Sequence, residues 1–357
     1  MDNPVLAAEE NRILIIGSYG YGNMGDEAIL QGILQDGLDS DRVDVVSATP
    51  TETKRLHGVN AIFRKDIDGT KYSMVILGGG GYPPAAYEKP LTIALKLNRS
   101  GARIIVKGLG PSPEVAGKDI FGPDRLGDKE TNLLTEVLNR SDYFSVRTDR
   151  DLERVRRYTQ SQKPIEVQKC PAYDISFSKR QGQELLEMFG VSRTAKLCGI
   201  SLAKFGYRKG IKAFVENYRK DFTLLPIPMC RHYYATFEND MILLQKYFGE
   251  MKLLTKSINN FLRYPFSPSQ LKSILANLSF LITARKHAMI MALGGGLNPA
   301  QIIMLGTRSS GLPEYFHVKE VDWRQWPVSP DGLGFYLAKR KYDILCIINW
   351  LLTKLHG

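Results

Sequence analysis

The chain has 357 residues, 43% of them apolar and 24% charged, with a formal net charge of +11. That balance fits an ordinary globular protein large enough for two cores, and no apolar run reaches the roughly 18 residues a membrane-spanning helix needs. The positive excess favours acidic partners: phosphorylated small molecules, an anionic membrane surface or nucleic acid, the last disfavoured because no RRM, zinc-knuckle or helix-turn-helix pattern is present.

In chain order, the first half predicts alternating strands and helices. Strand Ile13–Gly17 leads through a glycine-rich turn, Gly17–Gly25, into a helix over Asp26–Leu38. Strands Val43–Ala48 and Met74–Leu77 follow, the latter running into a second glycine turn at Gly78–Gly81. Helix Leu91–Asn98 precedes strand Arg103–Lys107 and a third glycine turn, Gly108–Gly110. Helix Asp128–Leu138, strand Tyr143–Arg147 and a charged surface helix, Asp149–Tyr158, complete this half. After a composition break around Ser178–Ala195 the alternation restarts. Strands are expected at Cys198–Leu202, Thr223–Ile227, Met251–Leu254 and Phe280–Thr283, and helices at Ile211–Tyr218, Thr236–Phe248, Pro268–Ala276 and His287–Leu293. An amphipathic helix, Tyr342–Leu355, is expected to cross back onto the first domain.

Two βαβ runs in tandem predict an α/β protein with two Rossmann-like domains facing across a cleft, a GT-B-like arrangement. The expected boundaries are 1–180, 181–340 and a bracing helix at 341–357. In a parallel sheet the carboxyl ends of the strands share one edge, so the three glycine turns should line one crevice able to take a small anion. Cys170, Cys198, Cys230 and Cys346 lack CxxC spacing and are expected to be reduced, buried thiols rather than zinc ligands. Polar, acidic Met1–Asn11 predicts no signal peptide, which points to the cytoplasm.

Gly20, Gly22 and Gly25 satisfy G-x-G-x-x-G between a strand and a helix. A nicotinamide cofactor would also want an acidic residue ending the next strand. That strand ends in Ser47-Ala48-Thr49, with Asp44 near its start instead. The loop is followed at once by Asp26 and Glu27, which would repel a pyrophosphate. The loop is therefore read as holding Asp26 at the cleft, as a general base or a sugar-hydroxyl acceptor, with helix capping as the plain structural alternative.

Gly22–Leu30, with its preceding strand, resembles the N-terminal motif of the polysaccharide pyruvyl transferase family. Val75–Gly81 and Lys107–Pro111 resemble its second and third glycine segments, Phe144–Asp149 its Ser-x-Arg-Asp signature, and Ile282–Ala288 its Arg-Leu-His motif. Pro171–Asp174 stands at the place of its short Asp-Pro region with the residue order changed. Two departures stand out: Lys286 replaces the middle leucine, and Arg308 stands where the family often carries a lysine. The resemblance implies transfer of the pyruvyl unit of phosphoenolpyruvate onto two sugar hydroxyls as a cyclic ketal, with no cofactor beyond that co-substrate and no metal.

Phosphoenolpyruvate carries a carboxylate and a phosphate, so its site needs several cations, preferably arginines. Arg147, Arg285, Lys286 and Arg308, with Gly79 and Gly80, are the expected donor contacts. His287 and Asp26 are the expected acid–base pair, and Arg285 and Lys286 should lower the histidine's pKa. Asn23, Tyr21 and Tyr82 are expected to contact the acceptor, a glycan or lipid-linked oligosaccharide. Peripheral association with the inner membrane face and homo-oligomerisation are compatible with this reading. A nucleotide-sugar-dependent glycosyltransferase on the same architecture is the alternative, and a catalytically silent glycan-binding member a third.

Overall fold

The computed structural model describes residues 12–82, 84–111, 127–203, 210–233, 239–306 and 312–322. The expected C-terminal helix and Arg308 lie outside these. The first half forms a seven-stranded, all-parallel sheet in the order β3-β2-β1-β4-β5-β6-β7. Its strands are β1 (Arg12–Tyr19), β2 (Val43–Ser47), β3 (Asn60–Ile62), β4 (Tyr72–Tyr82), β5 (Arg103–Pro111), β6 (Tyr143–Val146) and β7 (Glu166–Val167). Helices α1 (Met24–Leu34), α2 (Pro50–His57), α3 (Pro84–Arg99), α4 (Asp128–Arg140) and α5 (Asp149–Thr159) connect or flank them. Runs such as Leu14-Ile15-Ile16 and Val45-Val46 are buried because a parallel sheet is covered on both faces.

The second half follows α6 (Lys179–Met188) and builds a five-stranded parallel sheet in the order β12-β11-β10-β8-β9. Its strands are β8 (Leu197–Ser201), β9 (Thr223–Pro226), β10 (Phe280–Thr283), β11 (Ile302–Gly306) and β12 (Lys319–Asp322). Its helices are α7 (Ile211–Glu216), α8 (Asp240–Glu250), α9 (Lys256–Arg263), α10 (Pro268–Leu275), α11 (Lys286–Gly294) and α12 (Leu312–Tyr315). Two Rossmann-like parallel sheets are thus present, as the alternation predicts. Among the described residues no helix is long and apolar enough to cross a membrane.

Each sheet has an apolar cluster of its own, and a third cluster is common to both. Ile29 and Ile33 of α1, Ala172 and Ile175 of the linking segment, Ile274 of α10 and Met289 of α11 belong to one buried apolar cluster. Lys272, almost wholly buried on α10, donates to the carbonyls of Tyr173 at 2.6 Å and Ile175 at 2.7 Å, fastening the segment between the halves.

Two expectations are corrected, and one stretch left without an element gains a helix. Met251–Leu254 is not a strand: Leu253 and Leu254 donate back to the Phe248 carbonyl, so the segment is the reversal that ends α8 and leads to α9. The composition break around Ser178–Ala195 holds α6, capped by Ser178, whose hydroxyl accepts from the Gln181 amide. The second and third glycine segments are not turns. β4 and β5 run through them as paired strands, with Gly80 opposite Leu109 and Gly81 opposite Gly110. Glycine is needed there because a Cβ on Gly78 would strike the buried Tyr19 ring, and one on Gly79 would strike the carbonyls of Lys107 and Gly108.

Candidate active site

The seven-stranded sheet reverses its winding between β1 and β4, the position where open α/β sheets present a crevice at their carboxyl ends. α1 starts there. Asn23, not Asp26, caps it: the Asn23 Oδ1 accepts from the Gly25 amide at 3.1 Å. With its capping role taken, Asp26 projects from the first turn. Its Oδ2 accepts from Asn23 Nδ2 at 2.8 Å, and its Oδ1 lies 3.8 Å from where a Cβ on Gly80 would stand. Burial, reinforced by the neighbouring Glu27 charge, pushes the Asp26 carboxyl up to about 7, against the opposing pull of Arg285, the Asn23 hydrogen bond and Arg147.

His287 arrives from the other domain, in the first turn of α11. Its ring occupies the space that any side chain on Gly25 would need, so the two helix N-termini meet face to face. Its Nε2 is buried and has no hydrogen-bond partner among the described residues. Burial, then the charges of Arg147, Lys286 and Arg285, push the imidazole down to about 3, so it is neutral at pH 7. The lowered pKa expected from the adjacent cations is present, with burial the larger cause.

Arg147 follows β6 and is 5% exposed. Its guanidinium lies where a Gly110 side chain would stand, and its Cγ is 3.7 Å from the corresponding position at Gly108. Its Nε lies 3.4 Å from the Asp151 carboxylate but makes no hydrogen bond among the described residues. The Arg147–Asp151 pair is buried rather than a surface ion pair. Burial raises the pKa of Asp151 even against Arg147. Lys286 opens α11 and is driven down to about 8 by burial and then by Arg147, with Asp151 and Glu320 opposing.

Arg285 ends the turn after β10, where its backbone N–H donates to the Thr283 hydroxyl at 2.9 Å. Its Nε donates to both carboxylate oxygens of Asp240, at 3.0 and 3.2 Å. A guanidinium has donors on two edges, and the Asp240 pairing engages one. Asp26 feels both Arg285 and Arg147, so the two arginines from opposite sheets do act on one point.

Tyr21 lies in the loop after β1, its ring 5.6 Å from that of His232 in the second domain. Tyr82 ends β4, and its side chain, like Arg308, is outside what the structure describes. Asp44 is remote from the cleft. Burial opposes its charge, but hydrogen bonds from Arg12, Asn60 and Tyr72 hold its carboxyl below the usual range.

Sequence reasoning missed Asp240 and the buried Glu27–His57 pair (2.9 Å, each side chain 1% exposed). Glu27 also accepts from the Gly20 amide at 2.8 Å, so the acidic doublet divides its work: Glu27 holds the loop and Asp26 faces the cleft. The 3.6-residue helical period, which turns successive residues to different faces, was the available signal.

In fold the chain is similar to S. aureus MnaA in its co-structure with UDP (11% identity, TM-score 0.54, covering 93% of this chain and 87% of that one). It is also similar to the UDP-GlcNAc 2-epimerase of Methanocaldococcus jannaschii (12% identity, TM-score 0.51, covering 87% and 88%). No curated protein matches the sequence at a significant level. The model of the family "Polysaccharide pyruvyl transferase" matches residues 23–296, which include Asn23, Asp26, Arg147, Arg285 and His287. That span is well over half the chain and includes both sides of the cleft, and on it the protein belongs to the polysaccharide pyruvyl transferase family.

Proposed function

We propose that the protein transfers the pyruvyl group of phosphoenolpyruvate onto two hydroxyls of a glycan or lipid-linked sugar, forming a ketal and releasing phosphate. The observation that carries this reading is the meeting of two helix N-termini, the His287 ring against Gly25 beside Asp26, among Arg147 and Arg285, with the Asp26 carboxyl raised to about 7 and the His287 imidazole lowered to about 3. A carboxylic acid still protonated near neutral pH can donate to the enol carbon, and a neutral imidazole can accept from a hydroxyl.

The steps balance. Asp26 protonates C3 of the enol while a sugar oxygen bonds to C2, and that hydroxyl's proton passes to His287. The second hydroxyl then bonds to C2 as the C2–O bond to phosphate breaks. His287 returns its proton to the departing phosphate, and the second hydroxyl's proton restores Asp26. Arg147, Arg285 and Lys286 neutralise the donor's carboxylate and phosphate. Gly80, directly beside Asp26, lets the donor approach β4, whereas Gly79 keeps β4 against β5. Asn23 orients Asp26, and Tyr21 offers a ring on the acceptor side. Residues 1–180 thus present the acceptor side and 181–340 most of the donor side, with the reaction in the cytoplasm, where phosphoenolpyruvate is made.

The test is thermal stabilisation of the purified protein by phosphoenolpyruvate, beside uridine and guanosine diphosphate sugars, with Arg285→Ala as control. A shift with phosphoenolpyruvate alone, lost in the variant, is the expected result. A shift only with a nucleotide sugar would make the protein a glycosyltransferase. Binding without phosphate release from any acceptor would make it a silent member.

A further inference from the structure

We infer that Asp240 is a positioning residue that sets Arg285 and the Asp26 loop as one unit across the two domains. The inference rests on reading Arg285 as a donor contact. Asp240 is the first residue of α8 and is 2% exposed. The residue makes three kinds of tie, two through its carboxylate and one through its backbone amide. It takes the Nε edge of Arg285 at 3.0 and 3.2 Å, its Oδ2 accepts from the Met229 amide at 3.2 Å, and its own amide donates to the Cys230 carbonyl at 2.8 Å.

The loop it grips, Met229–Arg231, is stitched to the first domain by backbone. Met24 N–H donates to the Met229 carbonyl at 2.9 Å, Arg231 N–H to the Gly22 carbonyl at 2.8 Å, and Asn23 and Cys230 pair as an antiparallel bridge. Asn23 then caps α1 and donates to Asp26 at 2.8 Å. A continuous line of hydrogen bonds therefore runs Arg285–Asp240–Met229–Met24/Asn23–Asp26.

An arginine side chain is long and loses much rotamer freedom when it is fixed. The two-point grip of Asp240 fixes it before any ligand arrives, so less of the binding energy goes into ordering. The same carboxylate also holds the stitched loop on the second domain, so the position of Arg285 and the backbone contacts to Gly22 and Met24 depend on one residue. A buried ion pair is a poor source of net stability, so its place between two site residues is better explained by geometry than by folding.

The experiment compares Asp240→Asn, Asp240→Glu, Arg285→Ala and the double variant Asp240→Asn/Arg285→Ala. Asp240→Asn should weaken the response to phosphoenolpyruvate by at least about tenfold, and should add nothing further in the Arg285→Ala background. Should the asparagine variant fail to fold, Asp240→Glu keeps the charge but displaces it; it should fold and still raise the donor KM more than it lowers kcat. Amide hydrogen exchange at Met24 and Arg231 needs no ligand and should quicken in Asp240→Asn. Additive donor losses, or unchanged exchange at both amides, would overturn the inference. A wild-type protein that ignores phosphoenolpyruvate would defeat the donor reading instead, and the exchange rates would then decide on Asp240 alone.

Discussion

Asp26 and His287 share their cations yet are driven in opposite directions, because burial penalises whichever form of each is charged. The Asp26 carboxyl rises from 3.8 to about 7 on folding. A raised folded-state pKa contributes stability that is full below about pH 4 and is lost as pH rises through 7. Asp26→Asn should therefore be more heat-stable than wild type at pH 8.5, by up to about 4 kcal/mol, with the gap shrinking toward pH 5. The same variant should lose about 10²–10⁴-fold in kcat. A thermal melt series and a phosphate-release assay check the two limbs. His287 is the converse case, its folded pKa near 3 lying below the unfolded 6.5. Its contribution is full above pH 6.5 and is lost as pH falls toward 3, so His287→Gln should flatten the acid limb of the Tm profile while lowering turnover. Both residues were legible from motif and neighbours. Which of the two keeps its proton at pH 7 was not, because that depends on how deeply each is enclosed.

At the scale of elements, the glycines matter for what they admit. Gly25 lies in the first turn of α1 where the His287 ring must fit, and Gly110 lies near the end of β5 where the Arg147 guanidinium lies. Gly25→Ala should force α1 and α11 apart and cost about 1–3 kcal/mol, with activity falling further than stability; calorimetry beside turnover tests this. Sequence spacing found the three glycine segments and the strands before them. It misread two as turns, since a glycine that bends the chain and one that makes room for a distant side chain look alike in one dimension. The Met251–Leu254 error has the same origin. Four mostly apolar residues satisfy a short strand, and only the bonds back to Phe248 show a helix ending.

For the whole molecule, the decisive feature is a core common to both sheets. Lys272 joins it to the linking segment through two carbonyls. Lys272→Met should leave both carbonyls unsatisfied and cost roughly 2–4 kcal/mol, lowering Tm while leaving the donor KM of the folded protein unchanged. Alternating elements were enough to predict two parallel sheets, because hydrophobic periodicity is a local property of the chain. The family motifs, local too, named Asp26, Arg147, Arg285 and His287. Only the tertiary structure decided that Asn23 rather than Asp26 caps α1, that Asp240 holds Arg285, and that the loops of the two domains pair through their backbones. The Asp240–Arg285 pair spans 45 positions, the loop pairing joins Asn23 to Cys230, and the choice of cap turns on which side chain reaches the Gly25 amide; none of these leaves a pattern in a single stretch of sequence.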